Sequence, residues 1–321
     1  MESGHYRAGW KPSGRSPARF YILQMKRIAV LMTCYNRREK TLRCLSTLQE
    51  GWEKAGNGLL PSIFLTDDGY TDGTADAIRE HGFTFPIHIL PGTGNLFWNG
   101  GMINSWKAAI AEGNFDGYLW LNDDTYSLPE FWEDLKAADT HCMETYGKHG
   151  IYVGSTKDQE TGAFTYGGFN YISKVTLLDQ LLPPDGTFQS CQAAHGNITY
   201  VSKEVVDKMG IFCEKYWHGG TDHDYTYLAY KAGVPVLVLP RYSAVCENDH
   251  LGKTRQHTIL PLKERIRQFW APNGYNMHNT LLFSRRCFPW RTPFVFLSGV
   301  IKLLFPKLGY GGYLKLRKHG I

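Results

Sequence analysis

The sequence predicts an α/β fold with a mostly parallel central sheet. Four runs of apolar residues have the length of strands but lack the alternation of a half-exposed strand, which indicates strands buried on both faces. These runs cover residues 28–32, 62–66, 87–90 and 118–121. Strands that alternate with helices are typical of a parallel sheet covered by helices. Helices are predicted after the first three runs, at about 40–50, 74–81 and 102–112.

Composition indicates a folded chain from a reducing compartment. The 321 residues are 43% hydrophobic and 20% charged, which supplies a core and argues against global disorder. The seven cysteines are scattered without a CxxC pair, so they indicate neither a disulfide framework nor a zinc site. We therefore expect a cytoplasmic protein, either free or peripheral on the inner face of a membrane.

Charge is distributed unevenly along the chain. The net charge is +5, but residues 251–321 carry 13 Lys and Arg against one acid, Glu264, which gives this part about +12 and the rest about −7. A basic tail predicts contact with anionic lipid or nucleic acid, and the lack of a recognised nucleic-acid motif argues against nucleic acid. Residues 1–24 lack the apolar region of a signal peptide and are expected to form a disordered leader.

The first candidate binding loop follows the first strand. A loop between a strand and a helix at this edge of a parallel sheet presents backbone N–H groups and side chains to a nucleotide. Thr33, Tyr35, Asn36 and Arg38 are the candidate contacts, and Tyr35 is placed to stack on a base. The alternative is an ordinary turn that begins the helix.

The second predicted strand ends in Asp-Asp-Gly-Tyr-Thr-Asp-Gly-Thr, residues 67–74. Carboxylates such as those of Asp67 and Asp68 accept hydrogen bonds from a ribose or from the N3–H of uracil or thymine. Asp72 or Thr74 is expected to cap the helix that follows. The spacing of the acids and the lack of a closing Glu exclude an EF-hand.

Glycines surround an aromatic pair after the third strand. Residues 91–101 match neither a dinucleotide fingerprint nor a phosphate-binding loop. A flexible surface turn would leave Phe97 and Trp98 exposed, which is unfavourable for large apolar side chains. We therefore expect a sugar-contacting loop, with Gly94, Asn95 and Trp98 as its contacts.

The fourth strand runs directly into Asn122, Asp123 and Asp124. Two adjacent carboxylates cannot remain unpaired in a core, so they should emerge at the carboxyl end of the strand, where open α/β sheets bind ligands. Hard oxygen ligands suit Mg²⁺ or Mn²⁺ shared with substrate phosphates. The alternative is a structural cap, in which Asp124 or Thr125 begins a helix near Pro129.

In this order the four loops resemble those of the inverting family 2 glycosyltransferases, which have the GT-A fold. Residues 67–74 are similar to the Asp-Asp-Gly-Ser-Thr-Asp-Gly element of that family. Residues 121–125 are similar to its Asp-x-Asp metal element, in the variant of rhamnosyltransferase-like members. Residues 195–204 resemble its acceptor-side strand and helix start, and residues 219–225 resemble the helix start that carries the catalytic base.

The resemblance implies roles for individual residues. Asp222 is the expected base with Asp224 in reserve, while Asp124 and His250 are the expected ligands of Mn²⁺ or Mg²⁺. Because side chains two positions apart diverge on a helix, one of the two acids should face the cleft and the other cap the helix. The expected donor-binding residues are Thr33, Tyr35, Asn36, Arg38, Asp67, Asp68, Gly94, Asn95, Trp98, Asn122 and Asp123. The expected acceptor-binding residues are Trp98, Asn197, His218 and Gly220.

The resemblance also divides the chain. It implies a GT-A catalytic domain over residues 25–260, with a nucleotide-binding half at 25–125 and an acceptor-binding half at 126–260. Within the second half we expect a connecting segment at 174–186, a helix at 201–209 and a strand at 234–239. Residues 261–321 are expected to form a basic helical extension.

The apolar segment 293–305 lies within this extension. Its 13 residues, interrupted by Lys302, are too few to span a bilayer, which requires roughly 20. Arg285, Arg286, Trp290 and Arg291 precede it, which favours an interfacial helix and peripheral membrane contact through residues 285–318. The alternatives are a helix packed on the core or a contact in a homodimer.

We therefore expect transfer of a sugar, with inversion, from a UDP- or dTDP-sugar to a hydroxyl of a glycan or lipid-linked acceptor, in polysaccharide biosynthesis at the cell envelope. A nucleotidyltransferase is one alternative, although no Gly-rich loop bearing Lys or Arg lies near the start of the chain. A non-catalytic module that binds sugar nucleotides is another.

Overall fold

The computed structural model of the protein describes residues 26–56, 58–69, 71–247 and 260–306. Twelve strands lie within these residues. They are β1 (Lys26–Cys34), β2 (Leu59–Asp67), β3 (Ile87–Pro91), β4 (Gly117–Leu121), β5 (Tyr126–Ser127), β6 (Ile151–Lys157), β7 (Gly168–Ser173), β8 (Leu178–Leu181), β9 (Gln189–Ser190), β10 (Ala193–Ala194), β11 (Ile198–Ser202) and β12 (Val236–Val245).

The strands form a large sheet and a small one. The large sheet has the order β3-β2-β1-β4-β11-β6-β12-β5, with β9 also paired to β12, and the small antiparallel sheet has the order β10-β7-β8. Strands β1 to β4 are mutually parallel, as are β6 and β12, while β11 runs antiparallel between β4 and β6. The predicted α/β fold with a mostly parallel sheet is confirmed. All four predicted strand ends therefore lie at one edge.

Nine α-helices flank the sheet or follow it in the described residues. They are α1 (Arg38–Ala55), α2 (Thr74–His81), α3 (Phe97–Glu112), α4 (Phe131–Tyr146), α5 (Lys203–Met209), α6 (Thr221–Lys231), α7 (Leu262–Trp270), α8 (Met277–Cys287) and α9 (Thr292–Leu304). A 3₁₀ turn at Pro289–Arg291 joins α8 to α9.

Several boundaries differ from the predictions. Helix α3 begins at Phe97, so residues 98–101, predicted as loop, are helical. The cap predicted at Asp124 or Thr125 is wrong, because β5 follows directly and α4 begins only at Phe131. Residues 201 and 202 belong to β11, and the expected connection 174–186 contains β8, which pairs with β7.

The alternation of side chains along β1 divides the core into two layers. Val30 and Met32 pack on the side of α1, α2 and α4, whereas Ala29 and Leu31 pack on the side of α3, α5 and α6. This two-sided burial explains why the strand is apolar throughout. Trp120 of β4 stands at the centre of the second layer, with its ring 4.5 Å from that of Phe212.

The last three helices pack on the second half of the predicted catalytic domain. Helix α8 contacts α6, and α9 lies against α7 and α8. Gly299 allows this close approach, since a Cβ there would lie 2.6 Å from Cε of Met277. None of the helices in the described ranges has both the length and the apolarity needed to cross a bilayer.

The large sheet takes strands from both predicted halves of the catalytic domain. The predicted leader, residues 1–24, lies outside the described residues. The predicted boundary at residue 260 directly follows residues 248–259, which also lie outside them. The division into domains therefore stays a prediction.

Candidate active site

The four strand-end loops are joined to one another by side chains. Arg37, after β1, places Nη1 3.1 Å from Oδ1 of Asp123 and 2.7 Å from Oδ2 of Asp124, after β4. Asn36 accepts a hydrogen bond of 2.9 Å from the hydroxyl of Thr71, in the loop after β2. The structure therefore gathers the sequence-predicted loops around a single edge of the sheet.

Asp68 links the loop after β2 to the loop after β3. Its Oδ1 accepts the backbone N–H groups of Thr93 and Gly94 at 3.0 and 2.8 Å. Its Oδ2 accepts those of Leu96 and Phe97 at 2.8 and 3.2 Å. The residue is only 3% exposed. Four backbone donors fill the usual acceptor sites of this carboxylate, which gives Asp68 a structural role in the loop, and its predicted contact with a ribose or base stays a prediction.

Other predicted donor contacts have different surroundings. The Thr33 hydroxyl donates to the carbonyl of Thr66 at 3.2 Å, and a Cβ on Gly101 of α3 would collide with it, so Thr33 packs against α3 rather than presenting its hydroxyl to a ligand. Tyr35 is 57% exposed and remains available to stack on a base. Gly94 adopts a positive φ of 83°, and Asn95 beside it is exposed.

Arg37, which was not among the predicted donor contacts, is the cation that faces the acids. The predicted donor contact Arg38 has other partners. The backbone N–H of Arg38 donates to Asp72 at 2.9 Å, and its side chain reaches Glu39 at 3.8 Å. Asn36, with a positive φ of 50°, turns the chain just before these two arginines. The sequence signal that points to Arg37 is the pair of acids itself, since buried carboxylates require a counter-charge within reach.

Asp123 and Asp124 form the acidic centre of this edge. Asp123 is 6% exposed, and its Oδ2 has no hydrogen-bond partner among the described residues. Burial and the neighbouring charge of Asp124 raise the pKa of Asp123 to about 7, although the Arg37 guanidinium acts in the opposite direction. Carboxylate oxygens that are not all satisfied by the protein fit a hard divalent cation.

The rest of a metal site is not formed by the described residues. They contain no group of three or more His, Cys, Asp or Glu side chains arranged to hold a metal ion. The predicted ligand His250 lies outside the described part of the chain. The pair Asp123 and Asp124 therefore fits a cation whose remaining ligands come from elsewhere, such as substrate phosphates and water.

Trp98 connects the acidic centre to the second half of the protein. Its Nε1 donates to Oδ1 of Asn122 at 2.8 Å, and its ring lies beside Gly196, where a Cβ would come within 3.2 Å of it. The backbone N–H of Gly196 in turn donates to Oδ2 of Asp222 at 2.8 Å. Trp98 and Gly196 therefore link Asp222 to the loop that carries Asp123 and Asp124.

Asp222 has the environment of an ionised carboxylate. Its side chain is 15% exposed, and Nε2 of His223 lies 4.0 Å from Oδ2. Burial alone would raise its pKa, but His223, His195 and the N–H of Gly196 together hold the pKa below its ordinary value. A carboxylate that stays ionised at neutral pH is able to accept a proton.

Asp224 has a different role. Nε of Arg286, on α8, donates to both of its carboxylate oxygens at 2.9 and 3.0 Å, and the Asp224 side chain is only 3% exposed. This buried ion pair gives Asp224 a structural role, and its predicted role as a reserve base stays a prediction. Neither Asp222 nor Asp224 caps α6, which begins after Gly220 in a left-handed conformation with φ 92°.

The remaining predicted acceptor residues lie around the start of α6. His218 accepts the backbone N–H of Trp98 at 3.4 Å, and the amide of Asn197 donates to the sulfur of Cys246 at 3.5 Å. Asn279 of α8, unassigned in the sequence analysis, donates to the carbonyl of Gly219 at 2.9 Å and accepts the N–H of Trp217. Helix α8 therefore fixes the loop that precedes Asp222.

Comparison with known proteins identifies the family. The sequence profile of glycosyl transferase family 2 matches residues 29–194, slightly more than half of the chain. The chain belongs to this family. No curated protein matches this glycosyltransferase significantly.

Solved structures of glycosyltransferases resemble it at low identity. S. aureus TarS, residues 1–349, has 12% identity and a TM-score of 0.50, covering 89% of this chain and 74% of TarS. The same protein in complex with UDP-GlcNAc has 14% identity and a TM-score of 0.50, covering 84% and 74%. A mannosyltransferase from Pyrobaculum calidifontis, in complex with GDP-Man and Mn²⁺, has 13% identity and a TM-score of 0.49, covering 90% and 80%.

These findings confirm the predicted family and the predicted GT-A fold with C-terminal helices. The protein is a glycosyltransferase, the enzyme class expected from the sequence. The rhamnosyl character suggested by residues 121–125 stays a prediction.

Proposed function

We propose that this glycosyltransferase transfers a sugar from a nucleoside diphosphate donor to a hydroxyl acceptor with inversion, using Asp222 as the general base. The observation that supports this most strongly is the line of contacts from Asp124 and Asp123 through Asn122 and Trp98 to Asp222. It brings a carboxylate pair suited to a diphosphate-bound cation close to an ionised carboxylate suited to removing a proton.

Asp123 and Asp124 would hold the metal, with His250 as a predicted further ligand. When bound, Mn²⁺ or Mg²⁺ would neutralise the charge that develops on the leaving diphosphate. Arg37 supplies positive charge at the same edge, 2.7 Å from Asp124. Its side chain is 41% exposed, so a donor diphosphate can reach the guanidinium, which binds phosphate oxygens well.

The donor side has a stacking residue and a shaped loop. Tyr35 is the proposed stacking platform for the nucleotide base. Asp67 is the proposed acceptor of a hydrogen bond from a ribose O–H or from an N–H of the base. Asp68 contributes indirectly, because its four hydrogen bonds hold the loop from which Trp98 emerges. Trp98 is the proposed contact of the sugar face on both the donor and the acceptor side.

In the chemical step, Asp222 would accept the proton of the acceptor hydroxyl as its oxygen attacks the anomeric carbon from the side opposite the diphosphate. His223 and the N–H of Gly196 hold this carboxylate ionised and in place. The proposed acceptor is a hydroxyl of a glycan or of a lipid-linked glycan. Asn197, His218 and Gly220 are its proposed contacts.

The test begins with the donor. A thermal-shift screen of UDP-, dTDP- and GDP-sugars, with and without Mn²⁺, should identify one class that stabilises the protein only with metal. Asp222→Asn should keep this shift and lose transfer by about 10²–10⁴-fold, whereas Asp124→Asn should lose the metal-dependent part of the shift. Asp76→Asn, at a side chain that is 76% exposed, is the matched control.

The products decide between reaction classes. Transfer releases a nucleoside diphosphate, whereas a nucleotidyltransferase releases pyrophosphate, and NMR of the sugar product reports inversion at the anomeric carbon. Full activity of Asp222→Asn would refute the assigned base. Donor binding without turnover across a panel of acceptors would instead support a binding module.

A further inference from the structure

The C-terminal helices expose an unusual amount of apolar surface. Of the 18 large hydrophobic residues exposed in the described chain, nine lie between residues 262 and 305. Exposed apolar side chains concentrated in one part of a fold mark an interaction site more often than scattered single ones do. Eight of these residues form what we name the C-terminal face: Leu262, Ile266, Trp270, Trp290, Phe294, Leu297, Leu304 and Phe305. Phe296, two positions from Phe294, lies on another side of its helix.

Helix α9 supplies the centre of this face. Phe294, Leu297, Ile301 and Leu304 are spaced by three, four and three residues, which places them on one side of the helix. Phe294 and Leu297 are 67% and 58% exposed. Gly299 lies on the opposite side, where α9 packs on Met277 and Phe269. The packing of α9 therefore buries one side and leaves the other largely exposed.

Helix α7, which packs against α9, adds a second apolar stripe. Leu262, Ile266 and Trp270 recur every four residues and are each nearly half exposed. Trp270 and Trp290 give the face aromatic rings with a polar N–H, the side chains that proteins place at the boundary between water and lipid.

The charge around this face has one sign. Residues 260–306 contain seven Lys and Arg and a single acid, Glu264, which pairs with Arg267. Lys263, next to Leu262 in the chain, and Arg285 on α8 are exposed. An apolar surface bordered by basic residues is complementary to a bilayer with anionic headgroups, in which apolar side chains enter the interface and cations meet phosphates.

We infer that the C-terminal face docks this glycosyltransferase on an anionic membrane surface. The docked helices also hold the acceptor side of the enzyme, because Asn279 of α8 binds Gly219 and Arg286 of α8 binds Asp224. Docking therefore sets the distance between the bilayer and the loop that precedes α6. The surface itself is independent of the proposed chemistry.

The experiment measures sedimentation of the full-length protein with vesicles, without donor or acceptor. Binding to phosphatidylcholine vesicles with 30% phosphatidylglycerol should exceed binding to pure phosphatidylcholine about fivefold for each basic side chain that meets the surface. Phe294→Ser with Leu297→Ser should lower binding roughly tenfold for each side chain removed. The double variant Ile110→Ser with Tyr146→Ser, at sites on α3 and α4 that are 45% and 43% exposed, should bind as the parent does.

A second pair of substitutions controls for loss of binding through misfolding. Lys263→Glu with Arg285→Glu leaves the apolar residues intact and should reduce binding to anionic vesicles while leaving the melting temperature unchanged. The inference is overturned if the parent protein does not sediment with anionic vesicles, or if charge reversal has no effect. It is also overturned if the face instead forms a dimer, seen as a doubled mass in solution that Phe294→Ser with Leu297→Ser abolishes. Because donor binding is not used, failure here leaves the role of Asp222 untouched.

Discussion

Replacing Asp68 by Asn should destabilise the protein even without a ligand. The carboxylate accepts two N–H groups on each oxygen, from residues 93 and 94 on Oδ1 and from residues 96 and 97 on Oδ2. An Asn side chain has one accepting oxygen, and its NH₂ group would face two N–H donors. Two hydrogen bonds to a charged group are therefore lost, each worth about 1.5–3 kcal/mol, which gives roughly 3–6 kcal/mol in all.

The loss should concentrate in the loop before α3. Phe97 adopts a positive φ of 54°, a conformation that non-glycine residues adopt only when their surroundings enforce it. Its N–H is one of the four that Asp68 holds. Without this bond the loop should open, and because Trp98 follows directly, donor turnover should fall as well.

The assay combines urea denaturation of the ligand-free protein with hydrogen exchange of the amides of residues 93–97. Asp68→Asn should lower the free energy of unfolding and expose these amides to exchange. Asp72→Asn is the control, because Asp72 also accepts backbone N–H groups but lies nearer to solvent, so its loss should cost only about 1 kcal/mol. Unchanged unfolding free energy and unchanged protection from hydrogen exchange, together with a raised KM for the donor, would refute this reasoning. They would instead support a direct contact of Asp68 with the donor.

Three further predictions concern charge. His223→Ala removes a neighbour that lowers the pKa of Asp222 against the effect of burial, so the acid limb of the pH profile of kcat/KM should move to higher pH, and an unmoved limb would contradict the base assignment. Arg286→Ala leaves the buried Asp224 carboxylate without its partner and should cost about 3 kcal/mol in urea denaturation, whereas a change under about 0.5 kcal/mol would show that the ion pair is not stabilising. Although burial opposes the shift, hydrogen bonds lower the pKa of Asp139 to about 2. The ionised carboxylate therefore contributes about 2 kcal/mol of stability above the unfolded pKa near 4, and this contribution is lost as the pH falls towards 2. The urea midpoint of Asp139→Asn should lack this part of the acid sensitivity, and a pH dependence identical to that of the parent would exclude the contribution.

The sequence predicted which edge of the sheet carries the candidate site, but not which side chains pair with one another there. Parallel strands that end together bring their loops together, so the positions of Asp124 and Asp222 followed from topology and family resemblance. Whether Arg37 or Arg38 meets the acids depends on the left-handed turn at Asn36. The types of the neighbouring residues do not specify this turn. The partner of Asp224 lies 62 residues further along the chain. Such a long-range pairing leaves no local pattern.

The place of β11 in the sheet has a consequence for the order of folding during synthesis. Strand β11 separates β4 from β6, although β6 leaves the ribosome about forty residues earlier. The edge of β4 that pairs with β11 therefore stays unpaired until residues 198–202 emerge and insert between β4 and β6, which are already synthesised. An unpaired strand edge is able to pair with other nascent chains. We therefore expect soluble yield to depend on translation speed through this interval.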